Sequence, residues 1–204
     1  MIVNQQRNKD LQLKQRRLLV METTARRIDV KTMSTVAVMT ALCCILGPLS
    51  IPIGPIPVSL TVVSAYLCAY VLGSKKGSIA FLLYLLIGFI GVPVFSGFSG
   101  GPAKLFGPTG GYLIGFIFMI VITGIAVERF TAKKAYMHVI AMVLGLAVCY
   151  LFGTVWFCLQ MNYTFGAALA VCVYPFLFFD AIKIIICLIA GNAIRTALKA
   201  AHLI

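Results

Sequence analysis

The sequence predicts an all-α integral membrane protein of six transmembrane helices with both termini in the cytoplasm. Three observations carry that expectation: too few charges to coat a globule, apolar segments of spanning length, and basic residues gathered on one side of those segments. The 204 residues are 61% hydrophobic and 11% charged, whereas a soluble domain carries about 25% charged residues. Such a chain cannot cover its surface with polar groups, so much of that surface has to face lipid. A span takes about 20 apolar residues, which leaves room for six spans and no separate soluble domain.

The elements follow in order. Residues 1–31 read as a basic cytoplasmic tail, disordered or lying on the membrane surface, with Arg7, Lys9, Lys14, Arg16, Arg17, Arg26, Arg27 and Lys31. The tail has no apolar core followed by small residues, so no cleavable signal peptide is expected. Residues 32–204 form the membrane domain. Its first span covers 32–49 and runs into a Pro/Gly-rich stretch that ends at Pro57. The second covers 58–72 and is closed by Gly73-Ser74-Lys75-Lys76-Gly77; the third covers 78–92. A Gly-rich loop over 93–111 precedes the fourth span, 112–127, which stops at Glu128-Arg129. The fifth covers 136–159, and a polar turn over 160–164 leads into the last segment, 165–198. That segment is too long for one straight span, so Pro175 is expected to start or kink its main helix.

Charge sets the orientation. With six spans both termini share one side, and that side collects the tail cations, then Lys75 and Lys76, then Arg129, Lys133 and Lys134, then Arg195 and Lys199. The positive-inside rule places this side in the cytoplasm and the chain in the cell membrane. The net charge of +12 does not signal nucleic acid, because the cations cluster at helix ends and form no stripe with interleaved aromatics. The seven cysteines, Cys43, Cys44, Cys68, Cys149, Cys158, Cys172 and Cys187, lie in apolar segments without a CxxC or a nearby histidine. They read as small buried hydrophobes, and no metal site is expected.

Beyond these helix-end charges stand Lys104 in the long loop and Asp180 and Lys183 in the last segment. An ionisable group inside a span costs about 2.5–3.5 kcal/mol or more, so it faces the interior with a partner or a function. Asp180 and Lys183 are three apart and share one helical face. They read either as a structural ion pair or as a ligand site open to the outside. In the second case the carboxylate accepts from N–H groups and the ammonium meets a carboxylate or carbonyl oxygen.

The loop from Ser99-Gly100-Gly101 through Lys104 to Gly110-Gly111-Tyr112 is a second candidate. Its glycines let backbone approach a ligand closely, and Gly110-Gly111 opens a helix whose free N–H groups can meet an anion or carbonyl; such loops also serve simply as turns. No GK[ST] follows, so it is not a P-loop. Ala37 and Ala41, four apart in the first span, admit a close neighbour, either within the chain or from a partner protein. Catalytic residues are not expected: His138 and His202 sit at helix ends, with no Ser/His/Asp set and no HExxH. Trp156, Tyr112 and Tyr150 read as packing or interface residues or as ligand contacts.

Several runs together resemble the BioY family, the biotin-specific S components of energy-coupling factor (ECF) transporters. They are Gly91-Val92-Pro93-Val94-Phe95, Ser99-Gly100-Gly101, and Leu105-Phe106-Gly107-Pro108-Thr109-Gly110-Gly111-Tyr112. Ile51 to Pro57, Tyr150 to Trp156, and Pro175 with Asp180 and Lys183 extend the likeness over residues 33–199. The resemblance implies a pocket open to the outside and capped by the loops after the first and third helices. It implies biotin as the transported ligand, no cofactor, and as partners a transmembrane coupling subunit and two cytoplasmic ATPases. Site residues by this resemblance are Asp180, Lys183, Ser99, Gly100, Gly101, Lys104, Gly110, Gly111, Tyr112 and Trp156, with Ala37 and Ala41 docking the coupling subunit. The sequence departs from relatives at Thr61, where glutamine is frequent, at Leu113, where some carry arginine, and at Phe178-Phe179, where Pro-Gly is frequent. Lys183 is the first choice and Lys104 the second for meeting the biotin carboxylate. An S component for thiamine or riboflavin, and a small intramembrane enzyme using Asp180 and Lys183, are the rival readings.

Overall fold

The computed structural model describes Gln12 and residues 30–52, 56–130 and 135–201. Most of the basic tail, Ile53-Gly54-Pro55, Lys133, Lys134 and His202 therefore lie outside the described residues. The chain divides into two units, Met1–Ser34 and Thr35–Ile204. In the first unit, residues 30–34 are helical. The second holds the helices and the cavity described below.

The elements are α1 (Val30–Leu46), β1 (Ser50–Ile51), β2 (Val58–Ser59), α2 (Thr61–Phe89), α3 (Pro102–Leu105), α4 (Gly110–Arg129), α5 (Ala135–Met161), α6 (Phe165–Cys172) and α7 (Tyr174–Ala200). The two short strands pair antiparallel, Ser50 opposite Ser59 and Ile51 opposite Val58. Helices α2, α4, α5 and α7 are long and apolar enough to cross a membrane, and α1 is a shorter apolar helix. Large apolar side chains such as Ile45, Leu159, Phe178 and Ile189 point outward, as lipid-facing positions do. The chain is a multi-pass membrane protein.

Helix α2 joins the stretches expected as second and third spans, and Gly73 interrupts it with φ 78° and ψ −167°. A Cβ added at Gly77 would lie 2.7 Å from the Cys68 carbonyl oxygen. Nine residues along an unbroken helix would hold those positions about 13.5 Å apart. The helix thus doubles back at Gly73 into two arms, residues 61–72 and 74–89. Positive φ requires glycine there, and a Cβ at Gly73 would strike the Glu128 carboxylate. That carboxylate accepts from the Ser74 backbone N–H at 2.7 Å and from the Ser74 hydroxyl at 3.1 Å, tying the turn to the end of α4. Gly73→Ala is expected to destabilise the protein by about 1–3 kcal/mol. Thermal unfolding of the detergent-purified protein checks this; an unchanged midpoint refutes it.

The last segment divides as expected. Val173, at φ −122° and ψ −54°, separates α6 from α7, and Pro175 stands in the first turn of α7, where a missing N–H has no intrahelical partner to lose. Helix α5 stops at Met161, and Asn162 follows with φ 55°, the left-handed residue that closes many helices. Helix α4 packs most extensively against α5 and α2. Tyr66, Tyr70, Phe81, Tyr84, Met119, Met142 and Phe157 fill the interior. Two of the buried phenols are satisfied by donation to main-chain carbonyls: Tyr66 to Met142 at 2.9 Å and Tyr84 to Val94 at 3.1 Å. The cysteines are free thiols, five of them buried.

Candidate ligand cavity

The site is built from the first turns of α7 outward. Because Pro175 starts that helix, Asp180 and Lys183 fall in its second and third turns, three residues apart on the inner face. They are only 2% and 7% exposed, so neither charge can be left to water. The Lys183 ammonium donates to Asp180 Oδ1 at 2.8 Å and to the Ser59 carbonyl on β2 at 2.9 Å. The Tyr150 hydroxyl of α5 donates to Asp180 Oδ2 at 2.5 Å. Breaking such a buried pair costs about 3–5 kcal/mol because it strands the other charge.

The hydrogen-bonding capacity is not exhausted. A carboxylate accepts about four hydrogen bonds, and an ammonium donates three. Within the described residues Asp180 accepts two and Lys183 donates two. Free lone pairs and one N–H remain, and both residues line a cavity. The cavity holds about 620 Å³ of space between atoms, its open mouth included. Thr61, Ser96 and Thr109 add hydroxyls, while Val62, Phe116, Leu146 and Phe176 supply apolar walls. It suits a small ligand with paired N–H donors beside an acceptor at one end and an apolar body.

Two loops supply part of its rim. Ile56 and Pro57 come from the connection between β1 and β2, Ser96 and Thr109 from the loop before α4. In that loop Phe95 and Ser99 pair as a bridge, and Gly97 and Phe98 at its tip have φ of 73° and 54°. The Gly97 N–H donates to the Pro48 carbonyl at 3.1 Å, and the Gly101 N–H to the Gly88 carbonyl at 2.7 Å. The loops after α1 and α2 are therefore hydrogen-bonded to each other beside the cavity.

Of the residues expected at the site, Asp180, Lys183 and Tyr112 line the cavity together; Ser99, Gly100, Gly101, Lys104, Gly110, Gly111 and Trp156 do not. The latter group has identifiable work nearby. Trp156 Nε1 donates to the Gly107 carbonyl at 3.0 Å, and a Cβ on Gly111 would run into the Trp156 side chain. Gly111 thus lets α4 and α5 close up behind the cavity wall. Gly100 lies against the Val92 carbonyl and Gly110 against that of Leu105. Ser99 donates to the Ser96 carbonyl at 2.8 Å. Lys104 sits half-buried in α3, and that burial holds its ammonium below its ordinary value. Tyr112 packs its ring against Gly153 and brings its hydroxyl to 3.3 Å from Thr154 Oγ1.

Tyr150, which the sequence left open between packing residue and ligand contact, is the main residue whose partnership with Asp180 sequence reasoning missed. Its contact with Asp180 spans 30 positions and two helices, and no local spacing signals it. Ser59 was missed for a like reason, since it contributes a backbone carbonyl, which every residue carries. Thr61 and Leu113, two positions that the resemblance singled out as departures from the family pattern, both line the cavity.

Several apolar helices of membrane-spanning length, with a charged and hydrogen-bonding cavity let into their packing, define a multi-pass membrane protein with room for a small ligand. The comparisons give the family: residues 20–200 match the BioY family model, and the chain belongs to that family. It is 40% identical over 151 residues to the "Biotin transporter BioY" of Thermotoga maritima, covering 73% of this chain and 86% of that one. It is 37% identical over 168 residues to "Biotin transporter BioY2" of Lactococcus lactis, covering 82% and 92%. Among solved structures it is similar to the S-component for biotin from an ECF-type ABC transporter, with TM-score 0.78 and 31% identity over 84% of this chain and 94% of that one.

Proposed function

We propose that this chain captures biotin from outside the cell and delivers it inward as the S component of an ECF-type ABC transporter. The observation that carries this is the buried Asp180–Lys183–Tyr150 set in a cavity that also has apolar walls and hydroxyl groups. A cyclic urea presents two N–H donors and one carbonyl acceptor. The free lone pairs of Asp180 accept the former, and the remaining Lys183 N–H meets the latter or the ligand carboxylate. The apolar walls take the ring and chain. Ser99, Gly100, Gly101, Gly110, Gly111 and Trp156 shape the loops and helix ends that close over the ligand, and Lys104, outside the cavity lining, is the second choice after Lys183 for its carboxylate. No cofactor takes part, and the protein is a binding subunit, not an enzyme.

The chain crosses the cytoplasmic membrane six times: α1, the two arms of α2, α4, α5, and α6 with α7. Both termini face the cytoplasm. The bond of Glu128 to Ser74 draws the end of α4 to the hairpin that carries Lys75 and Lys76, and Arg129, Arg195 and Lys199 line one cavity. That gathering of cations at one end supports the orientation. The coupling subunit docks on α1, and two cytoplasmic ATPases drive the cycle.

The test is equilibrium binding of labelled biotin to the detergent-purified chain, with biotin, thiamine and riboflavin as competitors. Saturation near one site per chain, displaced by biotin alone, is expected. Displacement by thiamine or riboflavin, or no binding by a folded sample, refutes biotin as the ligand.

A further inference from the structure

A second cavity, holding about 680 Å³ of space between atoms with its open mouth included, lies at the other end of α7. Fifteen residues separate Asp180 from Arg195, about 22 Å along the helix. Its walls come from three elements: Glu128 and Arg129 at the end of α4, His138 in the first turn of α5, and Asn192, Arg195 and Lys199 on α7. The α7 residues are spaced three and four apart and so share one face.

The charges in this cavity are unbalanced. Among the described residues Glu128 is its lone carboxylate; it is already engaged by the Ser74 backbone and hydroxyl and offsets part of the charge of Arg195. Arg195 spends one N–H on the Tyr70 carbonyl at 2.7 Å, leaving four of its five donors. Among the described residues, Arg129, Arg195 and Lys199 form no ion pair within salt-bridge distance, and the one carboxylate that acts on Arg195 is that of Glu128. The His138 Nε2 lies 3.2 Å from the Phe130 carbonyl, which can only accept, while the buried Nδ1 has no partner. Three cations converging from two helices on one concavity repel each other, and an oxyanion with several oxygens relieves that repulsion while accepting from all of them.

We infer that this cavity binds a phosphate group, either the headgroup of an anionic membrane lipid or free phosphate, through Arg129, Arg195 and Lys199. The inference does not depend on the identity of the ligand in the first cavity.

The test is native mass spectrometry of the full chain released from detergent, with phosphatidylglycerol, phosphatidylcholine or inorganic phosphate added. Arg129→Gln and Lys199→Gln are used singly and together, because Arg195 also holds the Tyr70 backbone. A single symmetric size-exclusion peak and an unchanged thermal unfolding midpoint serve as the check that each variant is folded. One phosphatidylglycerol per chain, preferred over phosphatidylcholine and weakened at least tenfold in the double variant, identifies a lipid headgroup site. Binding of inorganic phosphate with the same loss, and no lipid preference, identifies a free-phosphate site. Equal retention of both lipids without phosphate binding, or unchanged binding in a folded double variant, overturns the inference.

Discussion

Replacing Asp180 with asparagine should weaken biotin binding about 5- to 150-fold, the equivalent of about 1–3 kcal/mol. Two effects add. The ligand N–H groups lose a charged acceptor, and an amide offers them a weaker one. The Lys183 ammonium, 7% exposed, is left with the Ser59 carbonyl and no counter-charge, so it reorients or recruits the ligand carboxylate differently. Tyr150→Phe is the informative companion, because it removes the hydroxyl on Asp180 Oδ2 and leaves the ion pair intact. Its loss should be smaller than that of Asp180→Asn. Titration of labelled biotin into size-exclusion-purified variants makes the measurement. Wild-type affinity in a folded Asp180→Asn protein removes the carboxylate from the site, whatever the family.

Filling the small-residue stripe of α1 should have the opposite pattern: binding kept, uptake abolished. Val36, Met39, Thr40 and Cys43 are the buried residues of α1. Thr40 donates to the Ala80 carbonyl at 3.0 Å, and Cys43 Sγ sits 3.4 Å from Cys68 Sγ. Ala37 and Ala41 are exposed on the other side, next to exposed Val38 and Ile45. Intramolecular packing therefore does not account for their small size. Close approach of a helix from another subunit does, since small residues let two backbones come together in lipid. Ala37→Trp and Ala41→Trp should leave biotin affinity unchanged, since neither residue lines the cavity, and should stop biotin accumulation by cells carrying the coupling subunit and ATPases. Normal uptake by both variants at equal membrane abundance would sink the docking assignment.

The two predictions draw on different kinds of legibility. The pairing of Asp180 with Lys183 follows from their three-residue spacing, because helical periodicity is local and a buried charge demands a neighbour. The exposure of Ala37 and Ala41 does not follow from their spacing, which fits an inward or an outward face equally well. Only the placement of Thr40 against Ala80 and of Cys43 against Cys68 turns that stripe outward. The Gly-rich loop shows a similar division. Its glycines mark a place where backbones come close, but Gly110 and Gly111 receive Leu105 and Trp156.

By itself the sequence determined what can be summed or counted along the chain. Low charge and long apolar segments required a lipid-facing surface, Gly73 and Pro175 marked where helices break or begin, and the clustered cations predicted the orientation. The tertiary structure alone decided which helices meet. It brought Tyr150 from α5 onto Asp180, set the Ser59 carbonyl against Lys183, and doubled α2 back at Gly73 so that Gly77 meets Cys68. It also gathered Arg129, Arg195 and Lys199 into one cavity. The physical reason is range: hydropathy and periodicity act within a few turns of one helix. A hydrogen bond between residues 30 or 124 positions apart exists only once packing has chosen the neighbours.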